Sequence, residues 1–118
     1  MPSIRIVING QPVSARLFDN ATARELAGQL PLTLSFRDLN QVEKIAKLPL
    51  PLTMDGVPEG DDPSPTDIGY YAPSGDLVLY YGDVGYWNGI VRIGQFSSEG
   101  ADLIRQQPDG FEVTLERA

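Results

Sequence analysis

The 118-residue sequence contains no cysteine and no histidine, and it carries only nine basic residues against sixteen acidic ones. Without cysteine there is no disulfide framework, no thiolate nucleophile and no thiolate zinc site. Without histidine the usual proton shuttle and the commonest metal ligand are missing as well. Ser-His-Asp and Cys-His catalysis are therefore excluded. The net charge of -7 opposes a phosphate backbone, whose recognition needs clustered Lys and Arg, and the nine cations here are scattered; no nucleic-acid partner is expected. Long apolar runs are also absent. The longest candidate, around Leu77 to Tyr81, is flanked by Asp76 and Asp83 and falls far short of the roughly twenty residues that span a bilayer. The first residues, Met1-Pro2-Ser3-Ile4-Arg5-Ile6-Val7-Ile8, lack the basic leader, apolar core and small-residue cleavage site of a signal peptide. The expectation is a cytoplasmic protein with no membrane partner.

What is present suits one domain over residues 1–118, long enough to bury a core without a covalent staple. Ile4, Ile6 and Ile8 alternate with Arg5, Val7 and Asn9, the period of a strand with one buried face. Asn9-Gly10 is a hairpin signal, since both residues tolerate positive φ, and Pro12 to Phe18 forms the returning strand. Thr22-Ala23-Arg24-Glu25 fits a capping box, with Asn20 as the competing cap, and either start gives a short helix through Leu30 ended by Pro31. Leu32 to Phe36 alternates again. Between Asn40 and Leu50 the pattern admits a helix or a strand, and a short strand near 43–48 is favoured. Pro49 and Pro51 remove backbone donors, so Leu48 to Leu52 is expected to run along a sheet edge. Val57 to Asp67 holds Pro58, Gly60, Pro63 and Pro65 with Glu59, Asp61, Asp62 and Asp67, which is loop chemistry. Further strands are expected at Ile68 to Pro73, Asp76 to Tyr81, Gly89 to Phe96 and Phe111 to Glu116. Ser97 or Ser98 is positioned to cap a helix over Glu99 to Gln106. Seven or eight short strands with two short helices point to a mainly β fold, an antiparallel barrel plugged by its helices.

The segment Gly69-Tyr70-Tyr71-Ala72-Pro73-Ser74-Gly75-Asp76-Leu77-Val78-Leu79-Tyr80-Tyr81, followed by Asp83, Gly85-Tyr86 and Asn88-Gly89-Ile90-Val91-Arg92-Ile93-Gly94, resembles the bacterial cyclophilin-like domain family. Glu43-Lys44, Leu48-Pro49, Pro58, Gly60 and Gly110-Phe111 fall in family-like positions, so the resemblance covers nearly the whole chain. It implies a cyclophilin-like closed antiparallel eight-stranded β-barrel with two short helices. The resemblance to peptidyl-prolyl isomerases is of fold only. Their Phe-His-Arg strand and Gln-Gly-Gly-Asp segment do not occur, and Phe36-Arg37 is the one Phe-Arg pair.

Six of the ten aromatic residues, Tyr70, Tyr71, Tyr80, Tyr81, Tyr86 and Trp87, lie within eighteen positions. Adjacent tyrosines in a strand point to opposite faces, so each Tyr-Tyr pair sends one ring inward and one outward. Tyrosines suit half-buried sheet surfaces, which accounts for much of the group structurally. Tyr86 and Trp87, in a turn-rich loop, also suit an aromatic wall. Arg92, mid-strand on the face of Ile90 and Gly94, must be paired if that face is interior, with Asp83, Asp76 or Glu43 as partner, or else grips a carboxylate or carbonyl of a ligand. The acids between Glu59 and Asp67 match no calcium loop, and Gly82 to Gly89 matches no phosphate-binding loop. No catalytic residue, metal or cofactor is assigned. The expected function is a binding module for a small molecule or peptide in a groove lined by Tyr70, Tyr81, Tyr86, Trp87 and Arg92. The alternatives are a weak or divergent peptidyl-prolyl isomerase, and a structural or interaction protein that uses the 48–52 edge.

Overall fold

A computed structural model describes residues 2–118. Alternation at Ile4, Ile6 and Ile8 produces strand β1 (Ser3–Ile8), all three side chains fully buried. Asn9 at φ 51 and Gly10 at φ 77 turn the chain into β2 (Gln11–Leu17). This is the left-handed pair that a two-residue hairpin requires. Helix α1 (Ala21–Gly28) follows, then β3 (Leu32–Leu39), β4 (Glu43–Lys47), the two-residue β5 (Gly60–Asp61), β6 (Asp67–Tyr71), β7 (Asp76–Tyr80), the two-residue β8 (Trp87–Asn88) and β9 (Ile90–Phe96). A 3-10 turn (Ser98–Gly100) leads into α2 (Ala101–Arg105), and β10 (Phe111–Arg117) closes the chain.

Eight of these strands form a closed barrel in the order β1-β10-β3-β4-β7-β6-β9-β2, every neighbour antiparallel. β5 and β8 pair with each other outside it. The interior is filled by side chains of one parity from each strand, among them Ile6, Leu17, Phe36, Leu79, Ile93 and Leu115. Each such residue removed from water contributes about 1.5–3 kcal/mol before entropy is counted. Among the described residues no helix is long and apolar enough to cross a membrane.

Three expectations are corrected. The helix cap is Asn20, whose side chain accepts from the Ala23 N–H at 2.8 Å. Thr22 and Glu25 instead hold Thr53 from both sides: the buried Thr22 hydroxyl donates to its carbonyl at 2.6 Å and Glu25 Oε1 accepts from its N–H at 2.9 Å. Residues 48–52 are not an edge strand. A closed barrel has no free edge, and this stretch folds inward with Leu48 and Leu52 in the core and Leu50 exposed. The strand edge expected there for pairing with a partner is thereby absent. Third, Ser97 precedes the C-terminal helical turn but makes no side-chain cap bond.

Tyr70 ties the inward fold to the core, its hydroxyl accepting from the Leu52 N–H at 3.0 Å in a buried setting. Tyr70→Phe leaves that N–H unmatched and should cost about 1–3 kcal/mol, read as a lower urea midpoint with unchanged slope. An unchanged midpoint would show that Leu52 finds another acceptor.

Candidate functional site

Strands β4, β7 and β6 each place one parity in the barrel and the other on its outer face. On β4 Lys44 and Ala46 point inward while Glu43, Ile45 and Lys47 point outward. On β7 Leu77 and Leu79 are inside and Asp76, Val78 and Tyr80 outside; on β6 Tyr70 is inside and Gly69 and Tyr71 outside. The register stacks the outer residues in three rows. Leu39, Glu43 and Tyr80 form the first, Arg37, Ile45, Val78, Gly69 and Arg92 the second, and Lys47, Asp76, Tyr71 and Ile90 the third.

An outer face would ordinarily be wet, yet Ile45, Val78 and Tyr80 are buried there, packed with Leu39, Tyr71 and Val84 as a second apolar cluster. Gly69 makes this possible. A side chain at that position would begin 2.6 Å from Tyr80 Cε2, so the absence of Cβ is what lets the Tyr80 ring lie flat across β6. The segment after β7 folds over the face. Together they enclose a groove of about 570 Å³ lined by, among others, Glu43, Ile45, Tyr71, Val78, Tyr80 and Trp87.

Trp87 is 57% exposed at the groove, but its ring is fixed, because the indole N–H donates to the Val84 carbonyl at 2.9 Å. A large exposed aromatic held in one pose is a ready wall for a ligand. The Tyr80 phenol is held protonated far above its ordinary range by burial first, then by Glu43 and Asp67 nearby. The Glu43 carboxyl is also pushed up, chiefly by burial and further by Asp38 and Asp76.

Of the five residues expected to line a groove, only Trp87 does so. Tyr86, 59% exposed, belongs to the same loop but sets its hydroxyl beside Gly60 of β5. Tyr70 lies in the barrel interior. Tyr81 lies beyond the end of β7, its hydroxyl hydrogen-bonded to Asp38 and its ring 5.7 Å from the Lys44 ammonium; burial and the Asp38 bond push its phenol up to about 12. Burial alone would raise Asp38, but the Tyr81 hydroxyl, the Gln41 N–H and Lys44 outweigh it and hold that carboxyl below its ordinary value. Arg92 is an ion-pair residue. Its Nε donates to Asp67 Oδ2 at 2.8 Å, which keeps the guanidinium charged, and its fork lies 5.6 Å from the Phe18 ring centre. The partner is thus Asp67, taken in the sequence for a loop acid, and not Asp83, Asp76 or Glu43. Asp67 is fully buried, with Oδ2 also accepting from the Ser64 N–H and Oδ1 unmatched.

Glu43, Tyr71 and Tyr80 were not assigned to a site from sequence. A signal existed in Leu77-Val78-Leu79, where apolar residues on both parities of a strand mean that both faces are covered.

A family model described as the cyclophilin-like family matches residues 6–116. The solution structure of the hypothetical protein AF2241 from Archaeoglobus fulgidus superposes with a TM-score of 0.75 at 18% identity, covering 99% of this chain and 95% of that one. McbB, solved in complex with tryptophan, superposes with a TM-score of 0.69 at 18% identity, covering 97% of this chain and 44% of that one. No curated protein matches the sequence.

Two outcomes are expected. Arg92→Ala strands the buried Asp67 charge and should cost about 3 kcal/mol, and adding Asp67→Asn should recover most of it; equal instability of single and double variants would mean that the ion pair is not the cause. Glu43 behaves oppositely. A carboxyl whose pKa is higher in the folded chain than in the unfolded one destabilises the fold once pH exceeds the unfolded value, and costs nothing below it. Glu43→Gln should therefore raise Tm at pH 7, with the gain vanishing as the pH falls below the ordinary glutamate value of 4.5. A pH-independent gain would point to packing instead.

Proposed function

The chain belongs to the cyclophilin-like family, and on that premise we propose that it binds a small molecule with a planar apolar body in the outer-face groove beside Trp87. The observation that carries this reading is the covered patch itself. The outer face of a barrel strand gains nothing for the core by being apolar, yet Ile45, Val78 and Tyr80 are buried there beside an open groove whose exposed indole is pinned to Val84. Its volume of about 570 Å³ suits a small-molecule site, as does an apolar lining interrupted by a few polar groups. The tryptophan in the McbB complex supports the same reading, as an aromatic ligand of a protein of which 44% shares this fold.

The chemistry available is recognition. Tyr71 offers aromatic surface, the Tyr80 phenol beneath stays protonated, and Trp87 supplies a wall that needs no ordering on binding. Titration of the labelled protein with indole, a neutral planar probe, is expected to shift the Trp87 indole resonance and the amides of β4, β7 and residues 82–88. Trp87→Ala should weaken that binding by about tenfold, equivalent to about 1.4 kcal/mol, and Tyr70→Phe should leave it unchanged. Shifts spread over the opposite side of the barrel, or none at all, would overturn the proposal.

A further inference from the structure

Most buried or half-buried charges in this protein have a protein partner. Asp67 has Arg92. Lys44, 3% exposed, donates to the Gln107 carbonyl at 2.8 Å and lies 3.3 Å from Asp38, while Asp38 also takes the Tyr81 hydroxyl. Asp76 accepts from the Ser74 hydroxyl at 2.6 Å. Glu43 differs. It is half-buried, it lines the groove, and among the described residues it has no hydrogen-bond or ion-pair partner.

The fold withholds each cation that could have served. Lys44, its neighbour in sequence, points into the barrel by strand alternation. Lys47 shares the outer face but is two rows away and donates to the Ser74 carbonyl at 2.6 Å. Arg37 also lines the groove, but from the adjacent row, opposite Ile45, and it makes no ion pair with Glu43. What surrounds Glu43 is the Tyr80 ring directly across β7, with Asp38 and Asp76 as nearby acids. A carboxylate shielded from water and facing like charge is destabilising as it stands, and an incoming cation relieves that cost.

We infer that Glu43 determines the specificity of the groove, selecting ligands that set a positive charge, an ammonium or a protonated ring nitrogen, against its carboxylate. The inference rests on the groove reading above and adds the charge class of the ligand. The aromatic lining serves the same end, because the faces of Tyr71 and Trp87 attract a cation through their quadrupoles as well as packing an apolar body.

The test is a charge series on one planar body: tryptamine, indole and indole-3-acetate, each titrated into the protein and followed by amide shifts. Tryptamine is expected to bind about tenfold tighter than indole, and indole-3-acetate more weakly than either. In Glu43→Gln the ratio of tryptamine to indole affinity should fall below about twofold. Glu59→Gln, which removes the same unit of charge outside the groove, should keep the preference. If indole binds as tightly as tryptamine, or if Glu59→Gln abolishes the preference as fully as Glu43→Gln does, the charge assignment is overturned and the groove reading stands. If none of the three probes shifts the groove amides, both fall together.

Discussion

Closure of the barrel is the constraint on which the other features depend. Because β2 returns to β9 and β1 to β10, each of the eight strands has a neighbour on both sides, and the ladder offers nothing to a further segment. The interior takes one parity of every strand and admits few side chains from elsewhere, among them Leu26, Leu48, Leu52 and Ile104. Segments between the strands must find burial elsewhere. Residues 48–54 do so against the core and α1, with Thr53 fastened at both its N–H and its carbonyl. The segment after β7 does so by covering outward-facing side chains on β4, β6 and β7. The groove is thus a product of chain length that the barrel could not absorb.

Charge is handled in two different ways. Where the fold itself needs an ionic group, it supplies partners, as at Asp67 Oδ2 with Arg92 and the Ser64 N–H, or at Lys44 with Gln107, Asp38 and two aromatic rings. Leaving one such partner unmatched costs several kcal/mol. Glu43, one residue from Lys44 and on the opposite face, receives none of this treatment. Adjacent positions on a strand can therefore belong to different physical systems, one serving stability and the other held at a cost to it.

Much of the barrel was legible in the sequence because it is specified locally. The Ile4, Ile6, Ile8 alternation and the Asn9-Gly10 turn need no distant information, and the strands at 76–80, 90–96 and 111–117 announce themselves similarly. The misreadings are non-local. Thr22 and Glu25 have capping-box spacing, but Asn20 lies two residues earlier and Thr53, thirty-one residues away from Thr22, takes the hydroxyl. Leu48-Pro49-Leu50-Pro51-Leu52 alternates as an edge strand would, and only closure elsewhere removes the edge. For the candidate site, Trp87 could be found because an indole in a turn-rich loop is conspicuous. Glu43 could not, since one acid on an alternating strand acquires meaning only when β7 sets Tyr80 beside it and the later loop forms a groove with it.

The small β5-β8 ladder lies outside the barrel and looks incidental, yet it joins two segments with different characters. Asp61, in the acidic proline-rich stretch, is paired in register with Trp87, and Gly60 with Asn88. The Gly89 N–H is bonded to the Glu59 carbonyl as well. The indole and the acidic stretch are therefore one cooperative opening unit, in the sense that local unfolding of either breaks the same few hydrogen bonds. Amide exchange at 59–61 should then report on freedom at 87–89, and a molecule that never touches the acidic stretch can still slow its opening.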